Sequence, residues 1–313
     1  MTTTPAADPS ADSATSTREP FAERLLVLDG HSLAFRAFYG LPDSLKAPDG
    51  QSVQAVYGFV NMLFALLADH RPRWVAATFD EGRPFRHELF DGYKAGREDI
   101  DPDVKAQVDR LRPLLDALDV WQVAGAPFEA DDYIASLTAR WRRERPEADV
   151  LVVSGDRDLF QCVGEGVRML YPLKGIRQSK VFDTAAVVEK FGVPPAKLRD
   201  FKALVGDPSD NIPGVKGVGE KTAARLLTHH DTLEGVYASL EECTPALRRN
   251  LEAGFDAAHL SRELVTLRED APVDAPAEAL EMAFDRAVAE EAMRALGFET
   301  TIGRLPRAYM RAG

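Results

Sequence analysis

Short apolar runs alternate with helical stretches along the first part of the chain. Arg24-Leu25-Leu26-Val27-Leu28 ends on Asp29-Gly30 and has the pattern of a buried strand. Over Ser52–Asp69 the positions Val53, Val56, Tyr57, Val60, Leu63, Phe64 and Leu67 recur at helical spacing. Trp74–Phe79 reads as a second strand ending on Asp80, and Val120–Val123 as a short third. A helix over Glu129–Arg145 follows, then a strand over Asp149–Val153 running into Ser154-Gly155-Asp156. Strands alternating with helices predict an α/β domain whose parallel sheet is covered on both faces. From about Asp183 the pattern is mostly helical, interrupted by Gly214-Val215-Lys216-Gly217-Val218-Gly219. A boundary is expected between 180 and 190, dividing a domain at 21–185 from a helical domain at 186–313.

The 313 residues suit two domains, and 45% hydrophobic content is enough for a real core. The net charge of −12 argues against gripping nucleic acid by overall positive charge, but leaves room for a local basic patch. Cys162 and Cys243 have no metal-site or disulfide spacing, which fits a reducing cytoplasm. Residues 1–20 are mostly Thr, Ser, Ala, Pro and Asp, without an apolar h-region. They are expected to be a disordered tail rather than a signal peptide. No apolar run reaches the roughly 18 residues of a membrane span.

Acid positions carry most of the chemical signal. Asp29 and Asp80 end strands, and Asp156 and Asp158 follow a third. In a parallel sheet those ends share one edge, where ligand crevices form. Two residues apart in an extended segment, Asp156 and Asp158 would project to one side. Glu129, Asp131 and Asp132 open a helix, where Glu129 and Asp132 share a face and Asp131 points elsewhere. Asp207 and Asp210 precede the glycine-rich turn. Any one of these could be a turn former or a helix cap. So many on one edge would repel one another unless divalent cations sat among them. All-oxygen donors suit Mg²⁺ or Mn²⁺ rather than Zn²⁺.

The segment Glu81–Pro102 is polar and long for a connection inside a compact domain. Arg83, Arg86, His87, Lys94 and Arg97 follow Asp80, and Phe90 and Tyr93 are interleaved with them. Such mixtures suit phosphate contact and base stacking, although most charged runs are solvated faces. Lys94 and Arg97 on one helical turn could reach a single phosphate, and Arg36 could join them. Ile212–Ala223 reads as helix, tight glycine turn, helix, the helix-hairpin-helix pattern of non-sequence-specific DNA binding. Backbone N–H groups at the second helix, with Lys216 and Lys221, could hold a phosphate.

Five strings together resemble the bacterial 5′→3′ exonuclease and flap endonuclease family, which includes the N-terminal nuclease domain of DNA polymerase I. They are LVLDGHSLAFRAFYG (26–40), FDEGRPFRHELFDGYKAGR (79–97), FEADDYIA (128–135), VVSGDRDLFQ (152–161) and LVGDPSDNIPGVKGVGEKTAARLL (204–227). The resemblance implies a PIN-like α/β core with a helical arch at about 81–112. It also implies a C-terminal helical domain whose helix-three-turn-helix clamp lies at 204–227. By motif, the metal-binding acids would be Asp29, Asp80, Glu129, Asp131, Asp132, Asp156, Asp158, Asp207 and Asp210. Tyr93, Lys94 and Arg97 would stand at the arch base beside the scissile phosphate, with Arg36 nearby. Arg83, Arg86, Gly214, Lys216, Gly217, Gly219, Lys221 and Thr222 would contact DNA, and Gly214–Gly219 would hold K⁺ through backbone carbonyls.

The expected activity is divalent-metal-dependent hydrolysis of DNA phosphodiesters at 5′ ends, nicks or 5′ flaps, by two ions. Glu129 and Asp131 are expected at the first ion, and Asp156, Asp158 and Asp210 at the second, with Asp131 shared. Asp29, Asp80, Asp132 and Asp207 would act through ordered waters. No polymerase segment follows residue 313, so the expectation is a free-standing, monomeric nuclease that serves a DNA polymerase and a ligase. Two alternatives remain: a nuclease of the same core acting mainly on RNA, and a non-catalytic protein that binds DNA junctions.

Overall fold

The computed structural model describes residues 21–97, 100–173, 175–176 and 178–311. The tail expected at 1–20 lies outside them. The strands are β1 (Ala22–Asp29), β2 (Pro72–Phe79), β3 (Trp121–Ala124), β4 (Asp149–Val153), β5 (Val167–Pro172) and β6 (Ser179–Phe182). They form one sheet in the order β3-β2-β1-β4-β5-β6. All neighbours are parallel except β5 and β6, so the sheet has an antiparallel edge that the apolar pattern did not signal. The strand order reverses between β1 and β4. That reversal opens a crevice at the C-terminal strand ends.

Helices α1 (Gly30–Gly40), α2 (Gln54–His70), α3 (Arg86–Leu89), α4 (Pro102–Ala117) and α5 (Ala130–Glu144) connect the strands. Strand residues alternate between two cores, as a sheet covered on both faces requires. Leu26, Leu28, Val75, Ala77, Leu151 and Val153 meet α1, α2 and α4 on one face. Leu25, Val27, Trp74, Ala76, Val150 and Val152 meet α5 on the other. Leu25, Leu26, Val27 and Leu28 are all fully buried. Each large side chain so buried contributes about 1.5–3 kcal/mol, which fixes β1 as the floor of the site. Among the described residues of the stretch expected as an arch, α3 and the larger part of α4 are helical, with turns after α3.

Helices α6 (Thr184–Phe191), α7 (Leu198–Val205), α8 (Glu220–His230), α9 (Leu233–Ala238), α10 (Pro245–Ala253) and α11 (Phe255–Val265) pack beyond α5 through Phe201, Leu204, Val218 and Leu227. Three short helices end the chain: α12 (Ala277–Leu280), α13 (Arg286–Ala295) and α14 (Glu299–Ile302). Here the structure differs from a helical block running from 186 to 313. Met282, Phe284, Met293, Phe298 and Tyr309 return to the first core beside α2 and α4. The Tyr309 hydroxyl donates to the Pro72 carbonyl at 2.8 Å, which ties the chain end to β2. Among the described residues no helix is long and apolar enough to cross a membrane.

Candidate active site

The crevice beside β1 and β4 widens into a cavity of about 1070 Å³ lined by Asp29, Asp80, Glu129, Asp131 and Asp156, with Arg36, Lys94 and Arg97. Asp29 caps α1, accepting from the Ser32 N–H at 3.0 Å and from the Ser154 hydroxyl, after β4, at 2.5 Å. Burial, then the charges of Asp80 and Asp156, push its carboxyl up to about 7 against those two hydrogen bonds. Asp80 accepts from the Ala130 N–H at 2.7 Å, which fixes the start of α5 against the end of β2. The backbone N–H of Asp80 donates to His31 Nδ1 at 3.0 Å, so the neutral imidazole carries its proton on Nε2.

Asp131 follows Ala130 on α5 and faces this group. Burial, then Asp156, Asp29, Asp80 and Glu129, push it well above the carboxylate range. The charges bearing most strongly on it are therefore all negative. Asp156 is likewise raised by burial, against the pull of Lys202, Lys94 and Arg97. It also accepts from the Asp158 N–H at 2.8 Å. Asp158 opens a 3-10 turn over Asp158–Cys162. Asp156 and Asp158 are thus not an extended pair pointing one way: the turn swings Asp158 onto the Lys202 ammonium. Lys202 also holds Asp207 at 2.9 Å. Asp207 caps its own turn by accepting from the Ser209 N–H at 2.9 Å.

Glu129 and Asp132 form the box that caps α5, which is why they share a face. Both bind Arg86. Its Nη1 donates to Glu129 at 2.8 Å and to Asp132 at 2.7 Å, and its Nη2 to Asp132 at 2.8 Å. The remaining donors reach the Leu264 carbonyl at 2.7 Å and the Thr266 carbonyl at 3.0 Å. This corrects two expectations. Arg86 is 3% exposed with every donor used, so it is not free to contact DNA, and Asp132, at 0% exposed, faces Arg86 rather than the cavity. An arginine in a polar run gives no sequence signal of burial. Arg83 is exposed, as a phosphate contact requires.

The basic segment folds down onto the acids. Phe90 and Tyr93 pack with Ile212, Leu264 and Val265, and the Lys94 N–H donates to the Asp210 carbonyl at 2.9 Å. The Tyr93 hydroxyl donates to Glu129 at 3.0 Å. Burial, then Glu129, push that phenol far above its ordinary value, so it remains a donor. Lys94 pairs with Glu129, and Arg97 with Asp210. Burial would lower the Lys94 ammonium, but Glu129 holds it above its usual value. Asp210 is raised by burial, against Lys94 and Arg97. Arg36 donates to the Leu173 carbonyl at 3.2 Å from the opposite rim.

The hairpin lies between α7 and α8. Gly206 and Gly214 cross so closely that a Cβ on Gly214 would stand 2.3 Å from the Gly206 nitrogen. Gly214 also has φ +58, a region that favours glycine. Val215 and Val218 are buried beneath the turn, leaving Lys216, Gly217, Gly219 and Lys221 exposed and Thr222 half-buried. Gly219 caps α8 without a side chain, and the Thr222 N–H of the first turn donates to the Gly219 carbonyl at 2.9 Å. The sequence reading missed His31, Ser32, Ser154 and Lys202. The first two adjoin Asp29, and Ser154 ends β4. Lys202 gives no local signal, because it is an ordinary polar position on α7.

Residues 24–192 match the family described as 5′-3′ exonuclease, N-terminal resolvase-like domain, and 193–287 match 5′-3′ exonuclease, C-terminal SAM fold. The chain belongs to the 5′-3′ exonuclease family. It is 39% identical over 289 residues to a 5′-3′ exonuclease of Streptomyces coelicolor, covering 86% of this chain and 94% of that one. It is 41% identical over 292 residues to DNA polymerase I of Mycobacterium leprae, spanning 92% of this chain but 32% of the polymerase. The fold resembles that of the bacteriophage T5 D15 flap endonuclease in complex with DNA and metal ions (TM-score 0.65, 19% identity, 89% of this chain and 97% of that one). It also resembles the catalytic core of Rad2 with DNA substrate (TM-score 0.60, 15% identity, 93% of each chain). The chain thus carries both regions of the family, the resolvase-like N-terminal domain and the C-terminal SAM fold.

Proposed function

We propose that this nuclease hydrolyses DNA phosphodiesters at 5′ ends and 5′ flaps and depends on divalent cations. The observation that carries the reading is Asp131, held among Asp29, Asp80, Asp156 and Glu129 with carboxylates as its strongest charged neighbours. Such repulsion in a partly buried crevice is tolerable when a hard dication joins the group. The donors are all carboxylate oxygens, so the chemistry fits Mg²⁺ or Mn²⁺. Among the described residues no three or more acidic, His or Cys side chains are placed so that they could hold a metal ion as they stand. The ammonium of Lys94 and the guanidinium of Arg97 lie on Glu129 and Asp210 instead.

Asp29, Asp80, Glu129, Asp131 and Asp156 are the residues we assign to the cations, with Asp210 at the margin. Two bound dications would supply hydroxide at neutral pH and take up charge on the attacking and leaving oxygens. The chain's own residues do the rest. Lys94 and Arg97 exchange their carboxylate partners for the phosphoryl oxygens as charge builds there. Tyr93 keeps its proton and holds Glu129 in place. Arg36 and Arg83 meet backbone phosphates at the rim. Lys216, Lys221, Thr222 and the turn N–H groups grip the duplex without reading bases. The backbone of Gly214–Gly219 would hold K⁺, which would supply positive charge for a DNA phosphate there. The likeness to DNA polymerase I supports a partnership with a polymerase, and sealing of the product would fall to a ligase.

The test uses a 5′-labelled flap with Mg²⁺, Mn²⁺ or EDTA, and a matched RNA flap beside it. Cleavage near the junction of the DNA flap, abolished by EDTA, is expected. Absence of product with every dication would overturn the reading. Faster cleavage of the RNA flap would overturn the assignment of DNA.

A further inference from the structure

Lys202 contacts the acid group and has no role in the proposed reaction. It sits in the last turn of α7, where a cation is favoured by the helix dipole. Its ammonium pairs with Asp158 on one side and lies 2.9 Å from Asp207 on the other. All three side chains are largely shielded, at 15%, 16% and 22% exposure. At such partial shielding a single charge acts more strongly on its neighbours than it would in open water. Asp158 and Asp207 come from different parts of the chain and would repel each other without the ammonium between them.

We propose that Lys202 is a built-in counter-ion that takes the place of a dication at the Asp158–Asp207 end of the acid group. It thereby weakens binding of the last cation. The inference rests on the cation-dependent reading above. Lys202 is a positioning residue: it acts through Asp158 and Asp207 and touches no reacting atom. A dication bound by Asp156 and Asp158 must displace the ammonium or share carboxylates with it, and like charge a few ångströms away opposes that. The full acid set therefore does not act as equivalent ligands. Asp29, Asp80, Asp131 and Asp156 fill first, and the Lys202 end fills last.

The test is Mn²⁺ binding to the full chain without DNA, followed by the electron paramagnetic resonance of free Mn²⁺. Lys202→Met, Lys202→Gln and Lys202→Arg are compared with the natural protein. Removing the charge is expected to tighten the weakest Mn²⁺ site by about tenfold or more, as loss of one nearby like charge should. Lys202→Arg should keep the natural affinity, which a merely structural lysine would not predict. Lys202→Gln retains hydrogen bonding to both carboxylates and serves if the methionine variant does not fold. Equal Mn²⁺ affinity in the folded Met or Gln variant and the natural protein would overturn the role of Lys202 and leave the nuclease reading standing. No Mn²⁺ binding to any of the proteins would overturn both.

Discussion

Asp29 shows how one side chain reports on the whole crevice. Its folded carboxyl is raised from 3.8 to about 7, chiefly by burial. A group raised in this way stabilises the fold while protonated and loses that contribution as pH rises through the folded value. In EDTA, the urea midpoint should therefore fall between about pH 4 and pH 7, and Asp29→Asn should flatten that slope. An unchanged slope would show that burial does not raise the Asp29 carboxyl. Arg86 sits at the opposite extreme. Removing it leaves Glu129 and Asp132 buried without a partner, so Arg86→Ala should cost about 3–5 kcal/mol in urea unfolding. A loss near zero would mean the pair is hydrated. The strand-end acids were legible in the sequence because a carboxylate directly after an apolar run has little freedom of place. Arg86 was not legible because its partners lie far away along the chain, and Lys202 because Asp158, which it joins to the nearby Asp207, does.

Among the elements, the start of α5 does the most. One turn of helix sends Glu129 and Asp132 to Arg86 and Asp131 into the crevice. The i, i+3 spacing of the outer pair was readable, and so was the divergence of Asp131 between them. The step from β4 into a 3-10 turn was not, since a two-residue spacing looks extended until the turn is seen. The hairpin depends on a close backbone crossing. Gly214→Ala must place a Cβ 2.3 Å from the Gly206 nitrogen, at a backbone conformation disfavoured for alanine. It should cost about 1–3 kcal/mol or more and weaken DNA binding, measured by anisotropy with a labelled nicked duplex. Unaltered affinity and stability would remove the hairpin from the DNA contact. β6 escaped the reading because it is four residues long and half-polar at the sheet edge, and β5, although mostly buried, has its apolar run broken by Arg168.

At the scale of the whole molecule, one sheet brings together acids from four separate stretches of chain, and a basic segment folds over them. The C-terminal residues return to brace β2 and α2, a long-range contact that no local pattern announces. The chain's net charge of −12 is compatible with binding a polyanion through local basic groups, Arg36, Lys94 and Arg97 at the crevice and Lys216 and Lys221 on the hairpin. The most direct measurement is anomalous diffraction from a crystal soaked in Mn²⁺. Peaks enclosed by Asp29, Asp80, Asp131 and Asp156, with Lys94 moved off Glu129, are the result expected. Full occupancy of Mn²⁺ elsewhere, with those four carboxylates left empty, would contradict the account.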